Sequence, residues 1–84
     1  MNIINNDTNL IESTIVERKE LWDKNGKKYL ILELESGDVI FVFDPKVEED
    51  KWEWLQKDRL IIFEVEEGKK DTGSKLLVNY TIKT

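Results

Sequence analysis

At 84 residues the chain has room for one small domain with a thin core. It contains no cysteine and no histidine, which removes disulfides, thiolate metal sites, the commonest metal ligand and the commonest general base. Its formal net charge of -5 excludes a uniformly basic nucleic-acid binder, so any phosphate-binding charge has to be gathered on one face.

Residues 1–10, MNIINNDTNL, are polar and Asn-rich and predict a flexible arm, with the folded domain over 11–84. The same stretch lacks a basic n-region and a long apolar run, so it does not read as a secretory signal. The longest apolar run, VIFVF at 39–43, is too short to span a membrane, and the expected location is the cytoplasm. Richness in Lys, Glu and Ile with no Ala fits a thermophile or an AT-rich genome, and composition does not separate the two.

Residues 11–22 are strand-like but out of phase. Ile15 and Val16 are adjacent, and strict alternation would put Glu17 and Lys19 on the side of Leu21. A bulge between Val16 and Leu21 would reverse the facing, which predicts a long, bent first strand. Asn25-Gly26 follows, the strongest short hairpin signal, because a type I′ turn needs positive φ at both central residues. With those two as the loop, Trp22 faces Tyr29, Leu21 faces Leu30, and Lys24 faces Lys27.

Residues 27–35 alternate cleanly, with Leu30, Leu32 and Leu34 on one side and Tyr29, Ile31, Glu33 and Glu35 on the other. Ser36-Gly37-Asp38 is a turn. Residues 39–43 form a third strand that is apolar on both sides, so it is covered twice or exposes one face for a purpose. Asp44-Pro45 reads as a helix start, with Glu48, Glu49 and Asp50 at the positive end of a helix of about ten residues. Val47, Trp54 and Leu55 share its apolar face, which predicts Trp54 in the core; Trp52 lies elsewhere, closing the barrel bottom or meeting a partner. Residues 60–66 are a fourth strand with Ile61, Phe63 and Val65 on one side. After the polar loop EEGKKDTGSK comes a fifth, with Leu76, Val78, Tyr80 and Ile82 together.

Three strands, a short helix and two strands, the first long and bent, resemble the OB-fold, a mainly β, five-stranded barrel with one helix between strands 3 and 4. YLILELESGDVIFVF is similar to its second and third strands, WLQKDRLIIFEVEEG to the entry into the fourth, and KLLVNYTIK to the fifth. No glycine eases the bend of the first strand, a departure from the common pattern, and an SH3-like barrel is the structural rival. The resemblance implies ligand binding on the outer face of strands 2 and 3, flanked by the loops joining strands 1 to 2 and 4 to 5.

If Leu30, Leu32, Leu34, Ile40 and Val42 point inward, then Tyr29, Ile31, Phe41 and Phe43 point outward, joined by Trp22 across the hairpin. Such rings stack on bases of any sequence, or they pair across strands and stabilise the sheet alone. The hairpin tip DKNGKK sets Lys24, Lys27 and Lys28 against Asp23, and the second loop supplies Lys69, Lys70 and Lys75. Acidic charge concentrates on the helix. Cations at the two flanking loops are what a net-acidic nucleic-acid binder needs, although lysines also keep hairpin tips soluble and strand edges unpaired.

Nothing points to catalysis, a metal or a cofactor. The helix-start carboxylates are neighbours pointing different ways, and no EF-hand, P-loop or dinucleotide fingerprint is present. Two function classes remain. One is a module binding single-stranded DNA or RNA with modest affinity, its rings stacking on bases and its lysines on phosphates. The other is a protein-interaction module, as a subunit, adaptor or inhibitor, using the same face against a partner protein or a second copy of itself. Neither calls for a membrane.

Overall fold

The computed structural model describes residues 8–67 and 75–83. The five strands are β1 (Thr8–Trp22), β2 (Lys28–Leu34), β3 (Val39–Phe43), β4 (Leu60–Glu67) and β5 (Lys75–Ile82), with a short 3-10 helix, Glu49–Trp54, between β3 and β4. They close into a barrel in the order β1-β2-β3-β5-β4. Among the described residues every strand pairing is antiparallel except β3 against β5, which pair in parallel at Ile40↔Lys75 and Phe41↔Leu76. β1 begins at Thr8, inside the stretch expected as an arm.

β1 closes the barrel because it belongs to two ladders. Residues 8–14 pair with β4, and Ile15 onward pairs with β2. Between the pairs Ile15↔Leu34 and Glu17↔Glu33, Val16 is an extra residue, the bulge expected from the broken alternation. It lies before Glu17, so Glu17, Lys19 and Leu21 stay together on one side. That side is the outside, opposite Glu33, Ile31 and Tyr29. Leu21 is therefore not turned inward.

The inner parity of the strands makes the core. Leu30, Leu32, Leu34, Ile40 and Val42 are buried, as expected, with Ile61, Phe63 and Val65 facing them from β4. Burying each such side chain is worth about 1.5–3 kcal/mol. The phase of β5 breaks at a second bulge. Glu64 pairs with Asn79 and Val65 with Leu77, leaving Val78 as the extra residue. Leu77 is thus the buried residue of the first half of β5, whereas Leu76 turns outward beside Phe41. A single apolar side running from Leu76 through Val78, Tyr80 and Ile82 does not form; Tyr80 and Ile82 alone pack against the core.

The helix differs most from expectation. Asp44-Pro45 does not start it; Glu48 is its N-cap, and it runs for 6 residues. Asp44 still receives a bond from the Glu49 amide at 3.3 Å, so the capping chemistry acts from further upstream. The tighter winding exchanges the roles of the two indoles. Trp52 is buried and donates its Nε1–H to the Val47 carbonyl at 2.8 Å, whereas Trp54 is 51% exposed. Trp52, Val47 and Leu55 close one end of the barrel. Arg18, on the inner parity after the bulge, locks this lid: Nε donates to the Leu55 carbonyl at 2.6 Å and Nη2 to that of Trp52 at 3.4 Å. Its Nη1 bonds Glu20 at 2.9 Å, which holds the Glu20 carboxyl below the usual carboxylate value.

The exchange of indoles is directly measurable. In urea unfolding, Trp52→Ala costs about 3–5 kcal/mol of stability, the cost of emptying a packed core site. Trp54→Ala stays within about 0.5 kcal/mol.

Candidate functional site

The hairpin joining β1 to β2 decides which side chains share a face. Its loop has three residues, 24–26. The Asp23 amide donates to the Lys27 carbonyl at 2.9 Å, and the Gly26 amide to the Asp23 carbonyl at 3.0 Å. Gly26 takes the positive φ, 82°, and Asn25 does not, so the turn is a three-residue loop with a left-handed glycine and not a type I′ pair. The Asp23 carboxylate stabilises it by accepting from the amides of Asn25 and Lys27 at 2.8 and 2.9 Å. The turn from β2 to β3 is built alike, with Gly37 at φ 96° and its amide bonded to Leu34.

One added loop residue shifts the ladder by one. Trp22 lies opposite Lys28, Leu21 opposite Tyr29, and Glu20 opposite Leu30. Trp22 therefore does not join the outward rings. It stands 61% exposed on the other side of the hairpin, with the Lys28 ammonium 5.9 Å from its ring centroid. It helps line a shallow depression with Lys27, Lys28, Asp44 and Glu49.

Three aromatics occupy the outer face of β2 and β3. Tyr29 lies opposite Phe43 and Ile31 opposite Phe41. The rings of Tyr29 and Phe43 stack at 5.2 Å and 22°, and those of Phe41 and Phe43 at 6.2 Å and 10°. Tyr29 and Phe41 are half-buried, and Phe43 is 36% exposed. Leu21 and Leu76 extend the strip onto β1 and β5. The register thus lays out two rows of rings and aliphatics, about 7 Å apart along the strands, and a third row of Glu17, Glu33 and Val39.

No family model matches the sequence, and no curated protein matches it. A solved structure does: that of a mitochondrial single-stranded DNA binding protein from S. cerevisiae, with TM-score 0.71, 18% identity, and coverage of 95% of this chain and 97% of that chain. The chain has the OB-fold.

In this OB-fold the lysines are less available than their numbers suggest. Lys28 pairs with Glu49 at 3.4 Å and Glu20 at 4.0 Å, tying the first hairpin to the helix. Lys75 pairs with Asp38 at 3.5 Å. Lys24 and Lys27 at the hairpin tip are exposed and make no ion pair among the described residues. Lys69 and Lys70 lie outside the described residues. Where β1 pairs with β2 and β2 with β3, the outer face carries one cation, Lys19, against two carboxylates, Glu17 and Glu33, and Lys19 binds Glu33 at 3.1 Å. Among the described residues no group of acids is placed to hold a metal ion.

Leu21, Leu76, Glu17 and Lys19 are the members of this face that sequence reasoning missed. Unbroken alternation from Glu17 to Leu21 was the available signal for three of them. Leu76 had none, because its orientation follows from the bulge at Val78.

The turn assignment carries a stability test. Gly26→Ala costs about 1 kcal/mol or more, because alanine resists positive φ, although a Cβ there meets nothing within 4 Å. Asn25→Ala costs less than about 0.5 kcal/mol, whereas a type I′ turn would penalise both. Urea unfolding of the two variants measures the difference.

Proposed function

We propose that this OB-fold is a non-catalytic binding module for single-stranded nucleic acid, DNA or RNA, and that the ligand lies on the outer face of β2 and β3. The observation that carries this reading is the stacked, outward series Tyr29–Phe43–Phe41 at the surface of a sheet whose opposite side is a leucine core. Soluble domains seldom leave such a strip uncovered without a use. The likeness to a single-stranded DNA binding protein supports the same ligand class.

Stacking supplies most of the affinity. A base on an aromatic ring is worth about 1–3 kcal/mol, whereas the cations near the strip are largely spent on carboxylates. Lys24 and Lys27 position phosphates, with Lys69 and Lys70 as further candidates from the second flanking loop. Trp22, Lys28 and Lys75 drop to secondary roles, because the first faces away and the other two are already paired.

One observation favours a second reading. With Lys19 neutralised by Glu33, the face carries a net negative charge and a continuous apolar centre, a combination that suits a protein partner. A second copy of the chain is one such partner, and light scattering detects it.

Anisotropy of a labelled mixed-sequence oligonucleotide at low salt decides between the two. Binding supports the first reading; its absence in a folded sample leaves the second. Tyr29→Ala and Phe43→Ala each weaken binding about tenfold, and Trp22→Ala leaves it unchanged. Affinity falls with salt at a shallow slope, about −1 to −3 in log–log form, because few lysines, Lys24 and Lys27 first, are assigned to phosphates.

A further inference from the structure

The ring strip is bounded by opposite charges. On the hairpin side stand Lys24 and Lys27, exposed and without an ion pair among the described residues, against one carboxylate, Asp23, which accepts from the Asn25 and Lys27 amides, so this end keeps a net positive charge. On the other side, one row beyond Ile31 and Phe41, stand Glu17 and Glu33, directly opposite each other across the β1–β2 ladder. Glu17 is exposed and makes no ion pair among the described residues, and Glu33 is held by Lys19 through Oε2.

A single strand lying on the rings has a phosphate side and a base-edge side. The carboxylate row repels phosphates and the lysine pair attracts them. The backbone therefore runs on the hairpin side, and the hydrogen-bonding edges of the bases point toward Glu17 and Glu33. Ionised carboxylates only accept hydrogen bonds. The amino groups of cytosine, adenine and guanine can donate to them, and guanine offers two parallel N–H groups to one carboxylate. Thymine and uracil present one N–H between two carbonyl oxygens, which a carboxylate repels.

We propose that Glu17 and Glu33 are specificity-determining residues that select strands carrying amino-bearing bases, guanine first, over thymine or uracil. This inference rests on the nucleic-acid reading above. It assigns positioning to the lysines and selection to the carboxylates, the usual division of labour between phosphate and base contacts.

The test is a set of labelled oligonucleotides of about eight nucleotides: thymine only, cytosine only, alternating guanine and thymine, and alternating inosine and thymine, which lacks the 2-amino group. The guanine strand is expected to bind about fivefold or more tighter than the thymine strand, with inosine between them. In Glu17→Gln/Glu33→Gln the ratio falls to about one, because an amide donates to thymine carbonyls as readily as it accepts. Circular dichroism checks that the variant is folded. Equal affinity for all strands overturns the inference, as does a guanine preference that survives in the double variant; both outcomes leave the nucleic-acid reading standing. Failure of the folded wild-type protein to bind any strand overturns that reading, and the inference falls with it.

Discussion

The extra residue at Val16 is the constraint on which the rest of the molecule depends. β1 must serve two ladders to close the barrel, and its inward side before Val16 is Ile11, Ser13 and Ile15. The added residue reverses the facing as the strand passes from one ladder to the other. Arg18 then points to the closed end, where it satisfies two carbonyls at the end of the helix. Leu21 and Lys19 point outward and complete the surface beside Tyr29 and Ile31. The Arg18 lock on the lid and the β1 margin of the ring strip are two consequences of one bulge.

The energetic weight of that surface lies in its rings. Surface ion pairs such as the exposed Lys19–Glu33 and the half-buried Lys75–Asp38 contribute about 0–1 kcal/mol each, so they do little for the fold. They matter by tying up cations within the sheet. On the proposed reading, a chain of net charge -5 that neutralises lysines beside an apolar strip would hold its ligand by contact and stacking more than by long-range attraction.

The barrel was legible in β2, β3 and β4, whose inward residues follow simple alternation. Leu30, Leu32 and Leu34 determine the parity of β2, and through its pairing that of β3, so the outward direction of Tyr29, Phe41 and Phe43 followed from sequence. Three features were not legible, each because a local competitor won. Asp23 captures two amides and draws Lys24 into the loop, so the Asn-Gly pair no longer sets a two-residue turn and Trp22 changes sides. A 3-10 helix turns faster than an α-helix, which brought Trp52 to the core in place of Trp54. The bulge at Val78 has no mark in the alternating run LLVNYTI, since either phase offers apolar residues. Pairing by carboxylates was equally hidden, because Lys28, Glu49 and Glu20 meet only after the chain has closed.

Among the described residues, the parallel junction of β3 with β5 is joined at two residue pairs, fewer than any other edge of the barrel. It is the stave most easily parted, and Phe41 and Leu76 stand on either side of the crack. A molecule laid across both would act as a hoop around a cask. Its grip would be felt as resistance to opening of the whole cylinder, well beyond the patch it touches.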